Sequence, residues 1–270
     1  MGKAVTEAAA HSAALRGEPI EKYGLKLWGI SMGRYEEWAR CKKVWFTRQS
    51  TFPVFCISMT FLEALYTLDM NAIENAGEPV GYIGMILYGL GMALRLNSDC
   101  VDVGDIFLSI DEKSKKLKSI VIKQEGGKES IEITPRQFNE IREIVAWMQG
   151  DAVPDESEND ELLETALDLS ERNTPPMNYD LLDMEASVAL AYGIRIRELF
   201  DWTILEFERA RRAIDRSKKH LICGIGATNG CKWEDGGNPY PSWCFDRKIT
   251  ESSALIAQSK FGQAKVNKKE

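Results

Sequence analysis

Four residues in the last third of the chain, His220, Cys223, Cys231 and Cys244, make an H-x2-C opening followed by two further thiols. Four such donors are the number that a closed structural zinc site takes. Cys231 and Cys244 are thirteen residues apart, however, whereas structural sites usually draw their second pair from a short spacing. We read the set as buried thiols beside a capped or solvated histidine. Zinc is the alternative reading, and there it would staple a loop and catalyse nothing. The only other histidine is His11, so the usual base for a Ser or Cys nucleophile is nearly missing, and the sequence holds no GxSxG, HExxH or GxxxxGK[ST]. Gly81, Gly84, Gly89 and Gly91 lie inside an apolar helical stripe and not after a strand, so a dinucleotide-binding turn fails on context. Among 41 acidic residues, the mere presence of carboxylate pairs selects nothing. We name no catalytic residue, and expect no enzyme and no cofactor.

The residues suited to binding are of two kinds. The segment Thr228 to Lys248 has no periodicity but carries Trp233, Tyr240, Trp243 and Phe245 among Gly and Pro. Such a loop must be held by its aromatics, which either latch onto the chain's own helices or face out and anchor a partner. Upstream, Arg209, Arg212 and Arg216, with Lys218 and Lys219, fall on one face of an expected helix whose other face holds Ile204, Phe207, Ala210 and Ile214. Glu206, Glu208 and Asp215 dilute that basic face. The net charge of -7 and pI near 5.2 also argue against coating nucleic acid, which needs a surplus of Lys and Arg. Trp233, Tyr240, Trp243, Phe245, Arg209, Arg212 and Arg216 are therefore candidate partner-binding residues.

The elements that must position these residues read as mainly helical, with a small antiparallel β meander, in two helical subdomains. Residues 1–18 read as a flexible leader that breaks at Gly17 and Pro19. No export signal is apparent in it, and the dispersed cysteines, without a CxxC pair, read as reduced and buried. Residues 19–150 form the first subdomain. Ser31 can cap a helix bearing Tyr35, Trp38 and Trp45, which Gln49 to Pro53 interrupts. Thr60 and Glu63 stand in capping-box spacing ahead of the stripe Leu62, Leu65, Tyr66 and Met70. Pro79 opens a third helix with Val80, Ile83, Leu87, Leu90 and Leu94 inward, and Gly84 and Gly91 are expected to admit a neighbouring helix. The stretch Val80 to Leu96 is short for a membrane span and reads as a core helix.

From about 105 to 133 the period changes to alternation, at Ile106, Leu108 and Ile110, then Leu117 to Ile122, then Ile131 and Ile133, which predicts the meander. Thr134, Pro135 and Gln137 then mark a sharp helix start, with Phe138, Ile141, Val145 and Met148 buried and Gly150 as the stop. Residues 151–176 read as an acidic linker, since Asp151 to Asp168 carries eight acidic residues and no basic one. Residues 177–270 form the C-terminal helical subdomain with its aromatic loop tail: a helix from Leu181 to Tyr192, a short one from Arg195 to Asp201, and a Thr203-capped helix running to about Leu221.

The run AYGIRIRELFDWTILEFERARRAIDR, followed by NPYPSWCFDRK, resembles proteins from the tail-morphogenesis cassettes of prophages in Gram-positive bacteria. The stretch YGLKLWGISMGRYEEWARCKKVWFTRQSTFP is similar in style to the helical first half of phage tail assembly chaperones, which have an early YG strand or turn. Tyr192, Gly193, Thr203, Glu206 and Phe207 correspond to packing and capping residues in the second half of that family. The larger meander and the aromatic tail depart from its pattern. The resemblance implies a cytoplasmic, protein-binding chaperone that keeps the long tape-measure protein soluble while tail-tube subunits assemble. Its partners would be phage structural proteins, with homo-oligomers possible and no membrane. Two further readings are a structural virion component, such as a tail or connector subunit, and a nucleic-acid-binding regulator that uses the basic face.

Overall fold

In a computed structural model of the chain, residues 5–96, 105–123, 130–156 and 180–229 are described. The chain divides into two compact units: residues 1–156 with 185–209, and residues 157–184 with 210–270. The fold is mainly helical with a small antiparallel sheet, as the periodicity predicts. Among the described residues, no helix is long and apolar enough to cross a membrane.

The expected leader at 1–18 is instead largely a helix, α1 (Glu7–Leu15), capped by Thr6 and packed on α5 (Pro135–Met148) through the buried Ala10, Ala13 and Ala14. Alanines carry little amphipathic signal, yet their small size lets two helix backbones come close. Gly17, at a φ of 62°, ends α1: its N–H reaches Ala14 O and that of Glu18 reaches Ala13 O, a double bond pattern that satisfies the last carbonyls. A hairpin not expected from the periodicity follows, of β1 (Ile20–Lys22) and β2 (Leu25–Leu27). Its two-residue turn is Tyr23-Gly24, both at positive φ (52° and 80°), the mirror-image turn whose twist suits a hairpin.

Ser31 makes no side-chain cap; a single 3-10 turn, Met32–Arg34, precedes α2 (Tyr35–Trp45). α3 (Phe61–Ala76) has the expected capping box, with the Thr60 N–H donating to Glu63 Oε2 at 2.8 Å and Glu63 N–H to Thr60 Oγ1 at 3.4 Å. α4 (Tyr82–Ala93) buries Ile83, Ile86, Leu87 and Leu90 as a core helix should, but of the expected stripe Val80 lies before the helix and is exposed, and Leu94 lies after it and is half-buried. It starts three residues after Pro79, and Asp69 fixes its start: the buried carboxylate accepts from the N–H groups of Gly81, Tyr82 and Ile83 at 2.9, 3.2 and 2.8 Å. A negative charge there satisfies orphan donors and complements the helix dipole. Asp69→Ala should therefore lower unfolding free energy by about 1.5 kcal/mol in urea titration, with Asp69→Asn between it and wild type. A loss below about 0.5 kcal/mol for the alanine variant would show that water replaces the carboxylate at no penalty.

The expected meander is present as β3 (Ile106–Ile110), β4 (Leu117–Ile122) and β5 (Ile131–Ile133), antiparallel in that order. Ile106, Leu117, Ile120, Ile122 and Ile133 are buried, and β4 packs on α5. α5 begins where Thr134, Pro135 and Gln137 predict, with Phe138, Ile141, Val145 and Met148 buried.

The expected boundary near residue 151 is close to the division after Glu156, but the expected C-terminal subdomain at 177–270 does not hold as one piece. Residues 185–209 belong to the first unit, and the reason is long-range backbone pairing that local sequence cannot display. α6 (Leu181–Tyr192), α7 (Ile196–Leu199) and α8 (Ile204–Thr228) follow one another. Between α7 and α8, the Met32 N–H donates to Trp202 O at 2.7 Å, Gly33 N–H to Phe200 O at 3.1 Å, and Ile204 N–H to Ile30 O at 2.9 Å. The Thr203–Glu206 capping box opens α8 as expected, and Leu205 and Phe207 are buried. α8 continues past Leu221 to Thr228.

Candidate functional site

Between α2 and α3 the chain from Gln49 to Leu62 carries no charged residue. It is built of two 3-10 turns, Gln49–Thr51 and Val54–Cys56, and its apolar side chains divide sharply. Cys56 is fully buried, whereas Val54, Phe55 and Ile57 are 81, 50 and 70% exposed. Side chains three apart nearly eclipse in 3-10 geometry, which puts Val54 and Ile57, the first residue and the C-cap of the second turn, on one side of it.

Exposed apolar residues gain meaning when the backbone beneath them is fixed. Phe52 stacks on Phe61 with ring centroids 6.1 Å apart. Gln49 reaches across the loop, its side-chain Nε2 donating to Cys56 O at 3.3 Å and to Met59 O at 2.5 Å. Below lies the buried Arg142 of α5. Its guanidinium donates to Trp45 O at 2.6 Å and Thr47 O at 3.0 Å, closing the C-terminal end of α2, and its Cζ sits 3.5 Å from the Phe61 ring centre. Burial draws this guanidinium down to about 10, still charged near neutrality, with Glu156 and Glu143 pulling the other way. Glu156 also takes the N–H groups of Gln49 and Ser50. The loop is a braced apolar knob, and its chemistry is that of a docking surface.

Sequence reasoning treated Gln49 to Pro53 only as a helix break and missed the knob. The available signal was a charge-free run holding Val, Phe and Ile outside any helical period. Of the residues it did single out, Trp233, Tyr240, Trp243 and Phe245 lie outside the described residues, as do Cys231 and Cys244. Arg209 is exposed at the edge of the first unit, its guanidinium 3.4 Å from His11 Nδ1. Arg212 and Arg216 follow on α8 within the second unit, at the three- and four-residue steps expected of one face. The described part of the zinc set is His220 and Cys223, three residues apart on α8. Among the described residues, no three of His, Cys, Asp and Glu are grouped to hold a metal. Cys41 and Cys56 are free and buried, and burial raises both thiols, Cys41 to about 11, which keeps them protonated and inert. The distal turns of α8 expose Leu221, Ile222 and Ile225, which border the segment that carries the aromatic candidates.

No protein-family model matches the chain, no curated protein matches it, and no solved structure matches it.

Proposed function

We propose that this chain works by holding another polypeptide, with the apolar knob of Val54, Phe55 and Ile57 as its grip, and that it is not an enzyme. The observation that carries this reading is the contrast within four residues: Cys56 fully buried, its neighbours exposed, on a backbone braced by Gln49 and Arg142. A loop so fixed loses little conformational entropy on binding, which is what makes small apolar anchors effective. In the form that the sequence resemblance suggests, the partner is a phage tape-measure protein. The chain then acts as an assembly chaperone in the host cytoplasm and leaves before the particle is complete.

The test is co-expression with a tape-measure protein, scoring its soluble fraction and its co-purification with this chain. Replacing Val54, Phe55 and Ile57 together by Ser should weaken capture by at least about tenfold, because central apolar anchors each carry on the order of 1 kcal/mol or more. All three point outward, so the thermal midpoint should hardly move. Undiminished capture by the triple variant would remove the knob from the mechanism. Finding the chain in purified particles by mass spectrometry would make it a structural subunit and end the chaperone reading.

A further inference from the structure

The knob is not held only from below. Its near end is tied to residues 151–156, which leave the end of α5 and run back along the C-terminal end of α2. Asp151 takes Lys42 Nζ at 2.8 Å. Five residues on, the two carboxylate oxygens of Glu156 take one backbone N–H each, Gln49 at 2.8 Å and Ser50 at 3.1 Å. This is a bidentate, charge-assisted arrangement, the strong kind of exposed hydrogen bond. Gln49 is also the residue whose side chain spans the loop to Cys56 and Met59. One residue thus has its backbone fixed by Glu156 and its side chain fixing the arm that carries Val54, Phe55 and Ile57. Glu156 is, in addition, the last residue of the first unit, and the second begins at Ser157.

We infer that Glu156 is a latch: it sets Gln49, Gln49 sets the knob, and loss of its two carboxylate bonds releases the knob from its docking form. The latch is a positioning device for the surface proposed above and rests on that reading for its functional consequence. It differs from the Arg142 brace in kind. Arg142 is buried and closes the C-terminal end of α2, whereas Glu156 is exposed and takes the loop's first two amides, its charge also acting on Arg142.

Amide hydrogen exchange on the full chain tests the latch without any partner. Glu156→Ala should speed exchange at Gln49 and Ser50 by at least about tenfold, with a smaller rise through Met59, while the amides of α3 and α5 stay slow and the unfolding free energy falls by about the matching 1.4 kcal/mol. Glu156→Gln, which keeps one acceptor oxygen but loses the charge, should fall between. Glu143→Ala, which removes the other carboxylate acting on Arg142 and takes neither loop amide, is the control and should leave the loop's exchange unchanged. Exchange in Glu156→Ala equal to wild type, or no greater than in Glu143→Ala, overturns the latch and leaves the docking surface as it stood. The same variants in the co-expression assay separate the two ideas. Faster loop exchange with weakened capture supports both. Faster exchange with wild-type capture, together with full capture by the triple Ser variant, keeps the latch as a structural tie and ends the docking reading.

Discussion

Gly89→Val should destabilise the chain by about 3 kcal/mol or more in chemical denaturation, and even Gly89→Ala should be destabilising although alanine is the better helix former. A Cβ at Gly89 would overlap the Trp45 indole nitrogen and lie 2.8 Å from Cε2 and 3.2 Å from Cζ2. The indole has nowhere to go. It is fully buried, with the Trp38 ring centre at 5.4 Å on one side and that of Phe138 at 5.7 Å on another. This contact is where α2 meets α4, so the extra atoms must part the two helices or force Trp45 off its rotamer. Gly84 in the same helix is the control: nothing lies within 4 Å of its added Cβ, and Gly84→Ala should stabilise by up to about 1 kcal/mol. Combining Gly89→Val with Trp45→Phe should cost less than the sum of the two single changes, since the smaller ring removes the overlapping atoms. If Gly89→Ala and Gly84→Ala shift the denaturation midpoint alike, the close approach at Gly89 is not a constraint.

That pair of glycines shows what could be read in advance. The sequence reading assigned the close approach to Gly84 and Gly91, on the ground that glycine in an apolar stripe admits a neighbour. Which glycine faces the neighbour depends on the rotation of α4, and that is fixed by Asp69 at its start and by Trp45 across the interface, both outside the helix itself. Local chemistry, by contrast, was legible. Thr60, Thr134 and Thr203 each pair with Glu or Gln three residues on, a relation complete within one turn, and all three helices begin where those residues say. The strands from Ile106 to Ile133 were visible because alternation is also a local signal. Hidden were α1, whose alanines give no moment, and the return of residues 185–209 to the first unit, which depends on backbone pairing between Ile30 and Ile204 across most of the chain. The knob was hidden for a related reason. Nothing in the order of Val54, Phe55, Cys56 and Ile57 says that the cysteine turns in and its neighbours turn out; the stack of Phe52 on Phe61 and the reach of Gln49 decide it.

Arg142→Ala should lower unfolding free energy by about 4 kcal/mol and loosen the loop it underlies. The guanidinium makes three contacts that no other side chain can reproduce together: one N–H on Trp45 O, a second on Thr47 O, and its flat face on Phe61. A cation at the C-terminal end of α2 is also favoured by the helix dipole, which offsets part of the penalty of burying it. Alanine leaves two carbonyls at that end without their donor and opens a space against the ring on which Phe52 stacks. Arg142→Lys tests whether charge alone suffices. An ammonium reaches one carbonyl, lacks the planar fork and cannot lie flat on Phe61, so it should recover less than half of the loss. Arg142→Met keeps much of the apolar stem and should resemble Lys more than Ala in stability, while leaving both carbonyls unmet. Hydrogen exchange adds what stability alone cannot. In the alanine variant, amides from Phe46 to Met59 should exchange through local opening, at rates well above those the reduced global stability predicts. Capture of a partner should fall with that opening, because the knob's value lies in its being held. A Lys variant as stable as wild type, with a quiet loop, would show that the fork contributes nothing beyond its charge and that the knob is braced from elsewhere.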